Sequence, residues 1–273
     1  MPNPICLLCL DVDGTLLDSR LQLRKNVIDA LHHLDQAGIA VAIVTGRNLD
    51  STLSIANSLA IPLSIVSSNG GHIRTLDGRT REIGLKPSQV PEIVQAGLGA
   101  GSGLFIDRPE RSWTFGDEYW IGQYADVNNG TPASDLSLAL SPAPIKISII
   151  NEARLLEGIR STLAQRYPDL QMSAPFPTVL DVTPQQASKG QALHTLGAML
   201  GIPSIQIAAV GDSENDLSIF REAGLSIAMR NAPADIRAEA DWIAPSNDEE
   251  GVAWAVERII ETNMQLQKAE SQS

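Results

Sequence analysis

Short apolar runs, each breaking off at a polar or glycine-rich cluster, recur along this chain. Residues 5–10 (ICLLCL) form the first, ended by Asp11, Asp13 and Gly14. Residues 39–44 form a second, ended by Thr45, Gly46 and Arg47, and 65–67 a third, ended by SNGG. Each run is β-compatible and bounded by turn signals, so each reads as a buried strand. Between them, 27–37 has helical spacing with Gly38 as its stop, and Asn48 caps a helix reaching about residue 60. Strand, helix, strand, helix, strand predicts an α/β fold with a doubly wound parallel sheet. Ligands of such sheets gather at the carboxyl ends of the strands.

The pattern changes after residue 71. Segments 72–75 and 79–83 flank Asp77 and Gly78, a hairpin signal. From 85 to about 183 the elements are mixed: helices at 88–98, 117–125 and 152–167, and strands at 104–107, 113–115, 145–150, 170–173 and 179–182. Residues 128–144, rich in Asn, Gly, Ser and Pro, read as loop. Trp113, Tyr119 and Trp120 are expected to pack in a core here. The parallel pattern returns after Pro184. Ser188 caps a helix with Lys189 near its start, and a strand at 205–210 runs into GDSENDL. Helices at 217–223, 235–240 and from 251 to about 264 then alternate with strands at 225–229 and 242–243, and the polar tail from 265 is expected to fray. The expected organisation is a doubly wound core, 1–84 and 185–273, with an inserted α+β cap, 85–184. Hinges near Gly84 and Pro184 let that cap open and close.

Composition adds limits. Hydrophobic residues make up 43% of 273, an ordinary share for a chain that buries a core. The formal net charge of −12, from 20 basic and 32 acidic residues, argues against nucleic acid or an anionic membrane as partner. It permits an anionic small molecule, because a metal ion or a few cations reverse the field locally. No apolar run is long enough to span a bilayer, and the N-terminus lacks a signal peptide's basic flank, so the expected compartment is the cytoplasm. Cys6 and Cys9 are three apart on a strand and face opposite sides, which predicts inert thiols rather than a redox or metal pair.

Chemistry enters at the strand ends. Asp11 and Asp13, two apart, share one side of the first strand's carboxyl end. Adjacent carboxylates are costly to bury unless a cation or proton lies between them; alone, they also read as a polar strand end. Later strand ends add Thr45, with the amides of Gly46 and Arg47, and then Asp212, Asn215 and Asp216. A helix start adds Lys189. Four carboxylates at one sheet edge require a cation, and hard oxygen donors suit Mg2+, which bridges to phosphate. Lys189 and Thr45 suit phosphoryl oxygens, assisted by helix N-terminal amides. Arg47 and Asn69 fit solvated or turn residues as readily as substrate contacts. His32, His33, His72 and His194 read as structural or solvated.

Four motifs stand in register: LDVDGTLL at 10–17, IVTGR at 43–47, Lys189 within SKGQAL, and GDSENDLSIF at 211–220. With them the chain resembles the haloacid dehalogenase superfamily. From residue 223 it runs AGLSIAMRNAPADIRAEADWI and then SNDEEGVAWAVERII, and this resembles the Cof-like subfamily of sugar and small-metabolite phosphatases. Those proteins carry a large α/β cap between the second and third motifs. The resemblance implies a Mg2+-dependent phosphatase acting on a small phosphorylated metabolite, a sugar phosphate first among them. It implies Asp11 as the nucleophile that becomes an aspartyl-phosphate, Asp13 as the proton donor and acceptor, and Thr45 and Lys189 as phosphoryl-binding groups. Asp212 would hold the metal beside Asp11 and the Asp13 carbonyl oxygen, with Asp216 either ligating it or supporting its ligands. Asn215 would contact phosphate or orient the site, and Gly46, Arg47 and Asn69 complete the substrate-binding set. Arg230, in AMRNA, stands where the family often has a small residue.

Other readings use the same residues. A phosphosugar mutase shares a related cap and core. A phospho-aspartate signalling receiver also combines acidic residues, Thr and Lys around Mg2+. The insert of about 100 residues and the second aspartate two positions after the nucleophile speak against a receiver, which should be one compact domain.

Overall fold

The computed structural model describes residues 3–109 and 111–271. Its elements are β1 (Leu7–Leu10), α1 (Lys25–Gln36), β2 (Ala40–Val44), α2 (Leu49–Leu59), β3 (Ser64–Ser67), β4 (His72–Arg74) and β5 (Thr80–Glu82). Next come α3 (Val90–Gly99), β6 (Gly103–Asp107), β7 (Ser112–Gly116), α4 (Glu118–Tyr124), β8 (Thr131–Pro132), α5 (Leu136–Leu140), β9 (Lys146–Ile150), α6 (Ala153–Arg166), β10 (Leu170–Ser173) and β11 (Val179–Pro184). The chain closes with α7 (Lys189–Leu200), β12 (Ile207–Gly211), α8 (Leu217–Glu222), β13 (Leu225–Met229), α9 (Ala234–Ala238), β14 (Trp242–Ala244) and α10 (Gly251–Glu270).

The strands form two sheets. The first has order β14-β13-β12-β1-β2-β3-β4-β5, parallel from β14 to β3 and antiparallel beyond. Its central strands are apolar on both faces, as strands covered on both sides must be. Leu8, Leu10, Val41, Ile43, Ala208 and Val210 pack with Leu31 and Leu34 of α1, Leu59 of α2 and Val256 of α10. The alternate residues Leu7, Cys9, Ala42, Val44, Ile207 and Ala209 pack with Leu193 and Leu196 of α7 and Phe220 of α8. Cys9 is therefore buried in the second layer. Burial pushes its thiol up to about 12, and both cysteines are free. Among the described residues no helix is long and apolar enough to cross a membrane.

The second sheet, order β10-β11-β9-β6-β7-β8, is built from the insert between β5 and β12 and is antiparallel except at β7–β8. One face, with Leu104, Ile106, Ile147, Ile149, Leu180 and Val182, packs on Ile93 of α3 and Leu163 of α6. The opposite residues of the same strands include Asp107, Lys146, Ser148 and Asp181, all buried.

Several boundaries depart from the pattern-based expectation. The expected loop at 128–144 contains β8 and α5, the latter capped by Asp135, whose carboxylate accepts the Ser137 amide at 2.9 Å. The tail expected to fray from 265 continues as helix to Glu270, with Lys268 favourably placed at the negative helix end; residues 272 and 273 lie outside the described residues. The strand expected from 205 begins at Ile207, after a 3-10 turn at Ser204–Gln206. Tyr119, expected in a core, is 65% exposed.

Candidate active site

Register positions the site. Leu10 pairs with Ile43 on one side and Val210 on the other, so β1, β2 and β12 end level. Asp11, Thr45 and Asp212 follow these ends, and the Asp11 amide extends the ladder to Val210 O at 3.0 Å. The chain turns at Gly14, whose φ of +77° lies in the region open to glycine. A Cβ there would stand 2.3 Å from Asp212 Oδ2, so the bare backbone is what lets the two loops approach.

Lys189 enters from the first turn of α7, which Ser188 caps by accepting the Gln191 amide at 3.1 Å. Its ammonium is buried and donates to Asp11 Oδ1 and Asp216 Oδ1, both at 2.6 Å. Asp216 Oδ2 in turn accepts the amides of Asp212 and Ser213 at 3.0 Å each, and the Ser213 hydroxyl at 3.1 Å. Both oxygens of Asp216 are thus engaged, Oδ1 by Lys189 and Oδ2 by its own loop. Asp212 accepts from the Thr15 hydroxyl at 3.1 Å. Asn231 Nδ2 donates to Gly14 O at 2.8 Å and reaches Asp212 Oδ2 at 3.4 Å.

Asp11, Asp212 and Asp216 each offer a carboxylate oxygen, and these atoms all lie within 4.8 Å of one another. Burial raises Asp11 well above the usual carboxylate range; Lys189 opposes this, and Asp216 and Asp212 add to it. Asp212 rises to about 7, chiefly through burial and then through Asp216. Lys189, despite its burial, is raised by Asp11 and Asp216. One lysine against three carboxylates, those of Asp11 and Asp216 buried and that of Asp212 half-buried, leaves a deficit of positive charge. Oxygen donors in that state fit a hard divalent cation.

Asp13 takes a different partner. Arg47 Nε donates to its Oδ2 at 2.8 Å and a terminal guanidinium nitrogen to its Oδ1 at 2.5 Å. Arg47 is 7% exposed, buried rather than solvated. Its amide donates to Thr45 Oγ1 at 3.1 Å. Asp13 stands outside the three-carboxylate group, and the structure separates the two aspartates by their cations: lysine for Asp11, arginine for Asp13.

A cleft of about 260 Å³ opens over these residues. Asp11, Asp13, Thr45, Gly46, Arg47, Asp212 and Asn215 line it from the first sheet, and Tyr124, Val127, Pro175, Phe176 and Asp181 from the insert. Asn215 Oδ1 accepts the Ser213 hydroxyl at 2.7 Å. Asn69 is not in this lining. Its Nδ2 donates to Asp181 Oδ2 at 2.9 Å, and its buried Oδ1 has no hydrogen-bond partner among the described residues. Arg230 is also away from the lining, 3.6 Å from Glu249; its neighbour Asn231 is the residue that touches the site.

Sequence reasoning missed a buried network joining the insert to the first sheet. Lys146 Nζ donates to Gly46 O at 2.6 Å and lies 3.2 Å from Asp107 and 3.7 Å from Asp181. Ser68 and Ser112 donate to Asp107 at 3.0 and 2.7 Å, and Ser148 donates to Asp181 at 2.6 Å. Beside it, Asn128 Oδ1 accepts the Asn48 amide at 2.9 Å, and the Asn129 amide donates to Ser51 Oγ at 2.8 Å, so an insert loop caps α2. The alternation of Lys146 and Ser148 with Ile147 and Ile149 was a usable signal for a polar sheet face.

Comparison with known proteins agrees with this arrangement. The family model described as haloacid dehalogenase-like hydrolase matches residues 8–256. The chain is 29% identical to Phosphatase YwpJ of Bacillus subtilis, over 93% of this chain and 99% of that one. It is 26% identical to Stress response protein YhaX of the same organism, over 93% of each. A crystal structure of a haloacid dehalogenase-like hydrolase from Bacteroides thetaiotaomicron superposes with a TM-score of 0.86 at 27% identity, over 93% of this chain and 99% of that one. With the family model spanning both sheets and all four motifs, the chain belongs to the haloacid dehalogenase-like hydrolases.

Proposed function

We propose that this protein is a Mg2+-dependent phosphatase that hydrolyses a small phosphorylated metabolite, a sugar phosphate by preference, through an aspartyl-phosphate on Asp11. The carrying observation is the buried Asp11–Lys189–Asp216 bridge beside Asp212, Thr45 and Asp13 around one cleft. Similarity to a protein named a phosphatase supports the reaction class.

Lys189 holds Asp11 Oδ1, which leaves Oδ2 to face the incoming phosphorus. In the first step Asp11 forms a bond to phosphorus, the bond to the leaving oxygen breaks, and Asp13 gives that oxygen a proton. In the second, water attacks phosphorus, Asp13 takes its proton, and the bond to Asp11 breaks to return the carboxylate and free phosphate. Thr45, Lys189 and the Gly46 amide bind the transferring oxygens as their charge shifts, while the Arg47 amide is held on Thr45 Oγ1. Asp11 and Asp212, with the Asp13 carbonyl, would hold Mg2+, and Asp216 would keep the Asp212 loop in place through its hydrogen bonds. The ion, when bound, supplies positive charge to the phosphoryl oxygens and lets a carboxylate approach them.

We read residues 1–84 and 185–273 as a core and 85–184 as a cap that supplies leaving-group contacts. The cleft wall supports a sugar-like leaving group. Tyr124, Val127, Pro175 and Phe176 give an apolar side, while Asp18, Ser19, Asp181 and Asn247 give polar groups. A sugar carries both kinds of surface.

Para-nitrophenyl phosphate turnover with Mg2+ tests the reading. Activity should vanish with chelator and in Asp11→Asn, while Asp13→Asn should still be phosphorylated by this good leaving group and hydrolyse the intermediate slowly. Normal turnover by Asp11→Asn rejects it.

A further inference from the structure

The peptide unit between Gly46 and Arg47 is held from both ends. Its carbonyl accepts from Lys146 at 2.6 Å, and its N–H donates to Thr45 Oγ1 at 3.1 Å. The side chain that follows it is the one gripping Asp13. Lys146 comes from β9 of the second sheet and is fully buried. Burial lowers a lysine's affinity for its proton; here Asp107 and Asp181 more than reverse that. Its three N–H bonds face three acceptor groups: the Gly46 carbonyl, Asp107 and Asp181.

A cation on a peptide carbonyl polarises the unit and makes its N–H a stronger donor. That N–H occupies a lone pair of the Thr45 hydroxyl, and Thr45 lines the cleft. We propose that Lys146 is a positioning residue for phosphoryl transfer: by fixing the Gly46–Arg47 peptide it orients the Thr45 hydroxyl. The insert then completes the phosphoryl site as well as covering it. This role rests on the phosphatase reading above.

A neutral residue at 146 alone would strand two buried carboxylates, so the test uses Lys146→Gln combined with Asp107→Asn. The network carries one cation and two anions in the wild type and one anion in the double variant, the same net charge. With para-nitrophenyl phosphate and Mg2+, kcat should fall by at least about tenfold while KM moves less than about twofold. Orthovanadate inhibition should weaken by the same factor as kcat/KM. In a Thr45→Ala background the same pair of changes should cost less than about threefold, because the group they act through is gone. Where Thr45→Ala is too slow to assay, the cycle closes on orthovanadate binding read by thermal shift. An equal loss in both backgrounds, unchanged kcat, or a reduced melting temperature with unchanged orthovanadate affinity overturns the positioning role alone. A wild-type protein that turns over no phosphomonoester overturns the phosphatase reading and this role with it.

Discussion

Arg47 holds Asp13 with two nitrogens, Nε to Oδ2 at 2.8 Å and a terminal nitrogen to Oδ1 at 2.5 Å. Both carboxylate oxygens are engaged, so Asp13 has one orientation toward the cleft. Asp11 is held differently, through Oδ1 by Lys189, and the proposed reaction uses its other oxygen.

That difference predicts how Arg47 variants behave. An arginine fork fixes the plane of a carboxylate, whereas a lysine supplies only a point charge. Arg47→Lys should lower kcat/KM modestly, and Arg47→Met by about 100-fold. The loss should be larger for alkyl phosphates, which need a proton on the leaving oxygen, than for para-nitrophenyl phosphate, which does not. A loss independent of leaving group would show that Arg47 acts on the phosphoryl group and not through Asp13.

The half-buried carboxylate of Asp212 predicts the response to pH and cation. Asp212 stands at about 7 in the folded chain against an ordinary 3.8. The native state therefore holds its proton more tightly than the unfolded state. Asp212's contribution to stability is complete below about pH 4 and is lost as pH rises through about 7. A cation prefers the ionised form, so its stabilisation should grow over the same interval. In chelator, the melting temperature of the wild type should fall relative to Asp212→Asn by on the order of 5 °C between pH 5 and 8. Added Mg2+ should raise the wild type progressively more across that range. Parallel curves for the two proteins would remove Asp212 as the source.

Gly14 and Gly78 form a matched pair. Both have positive φ, +77° and +85°. A methyl at Gly14 would meet Asp212 Oδ2 at 2.3 Å, while one at Gly78 would meet nothing within 4 Å. Each alanine variant should lose about 1–3 kcal/mol of stability from the backbone alone. Only Gly14→Ala should also displace Asp212, which titration of activity with Mg2+ would show as at least tenfold weaker apparent affinity. If Gly78→Ala weakened Mg2+ dependence equally, strain and not the Asp212 contact would be responsible.

The strand-end residues were legible because an apolar run that stops at Asp11, Thr45 or Asp212 announces its own boundary, and parallel register then aligns those boundaries. Lys146 and Asp181 were not. Alternation of polar and apolar residues on β9 and β11 ordinarily marks a sheet with one wet face, and here Gly46, Ser68 and Asn69, from the turns after β2 and β3, meet the buried polar groups of that face. Arg47 was left open for a similar reason: its partner lies 34 positions away in another loop. Asn231 was overlooked beside the more conspicuous Arg230, although its short amide reaches Gly14 O while Arg230 turns to Glu249. The helical end of α10 was underestimated because Gln267, Lys268 and Ala269 are exposed, and a solvated helical turn carries no apolar pattern to distinguish it from a frayed tail.

Tyr124 offers the sharpest test of the cleft wall. Its ring stands edge-on to Phe105 and Phe176, with centroids 5.3 and 6.2 Å away. Burial first, and then Asp181, Asp107 and Asp13, raise its phenol well above the usual tyrosine range. It therefore remains an O–H donor at any working pH, in a wall where phenylalanine would pack as well. If that donor serves a leaving-group oxygen, Tyr124→Phe should raise KM for hydroxylated sugar phosphates by about three- to tenfold, the worth of one hydrogen bond. Para-nitrophenyl phosphate, whose ring offers no hydroxyl, should keep its KM within about twofold in the same variant. Equal effects on both substrates would mean that the phenol shapes the phosphoryl end of the cleft, and that selectivity for the leaving group must be sought instead among Asp18, Ser19 and Asn247 on the facing side.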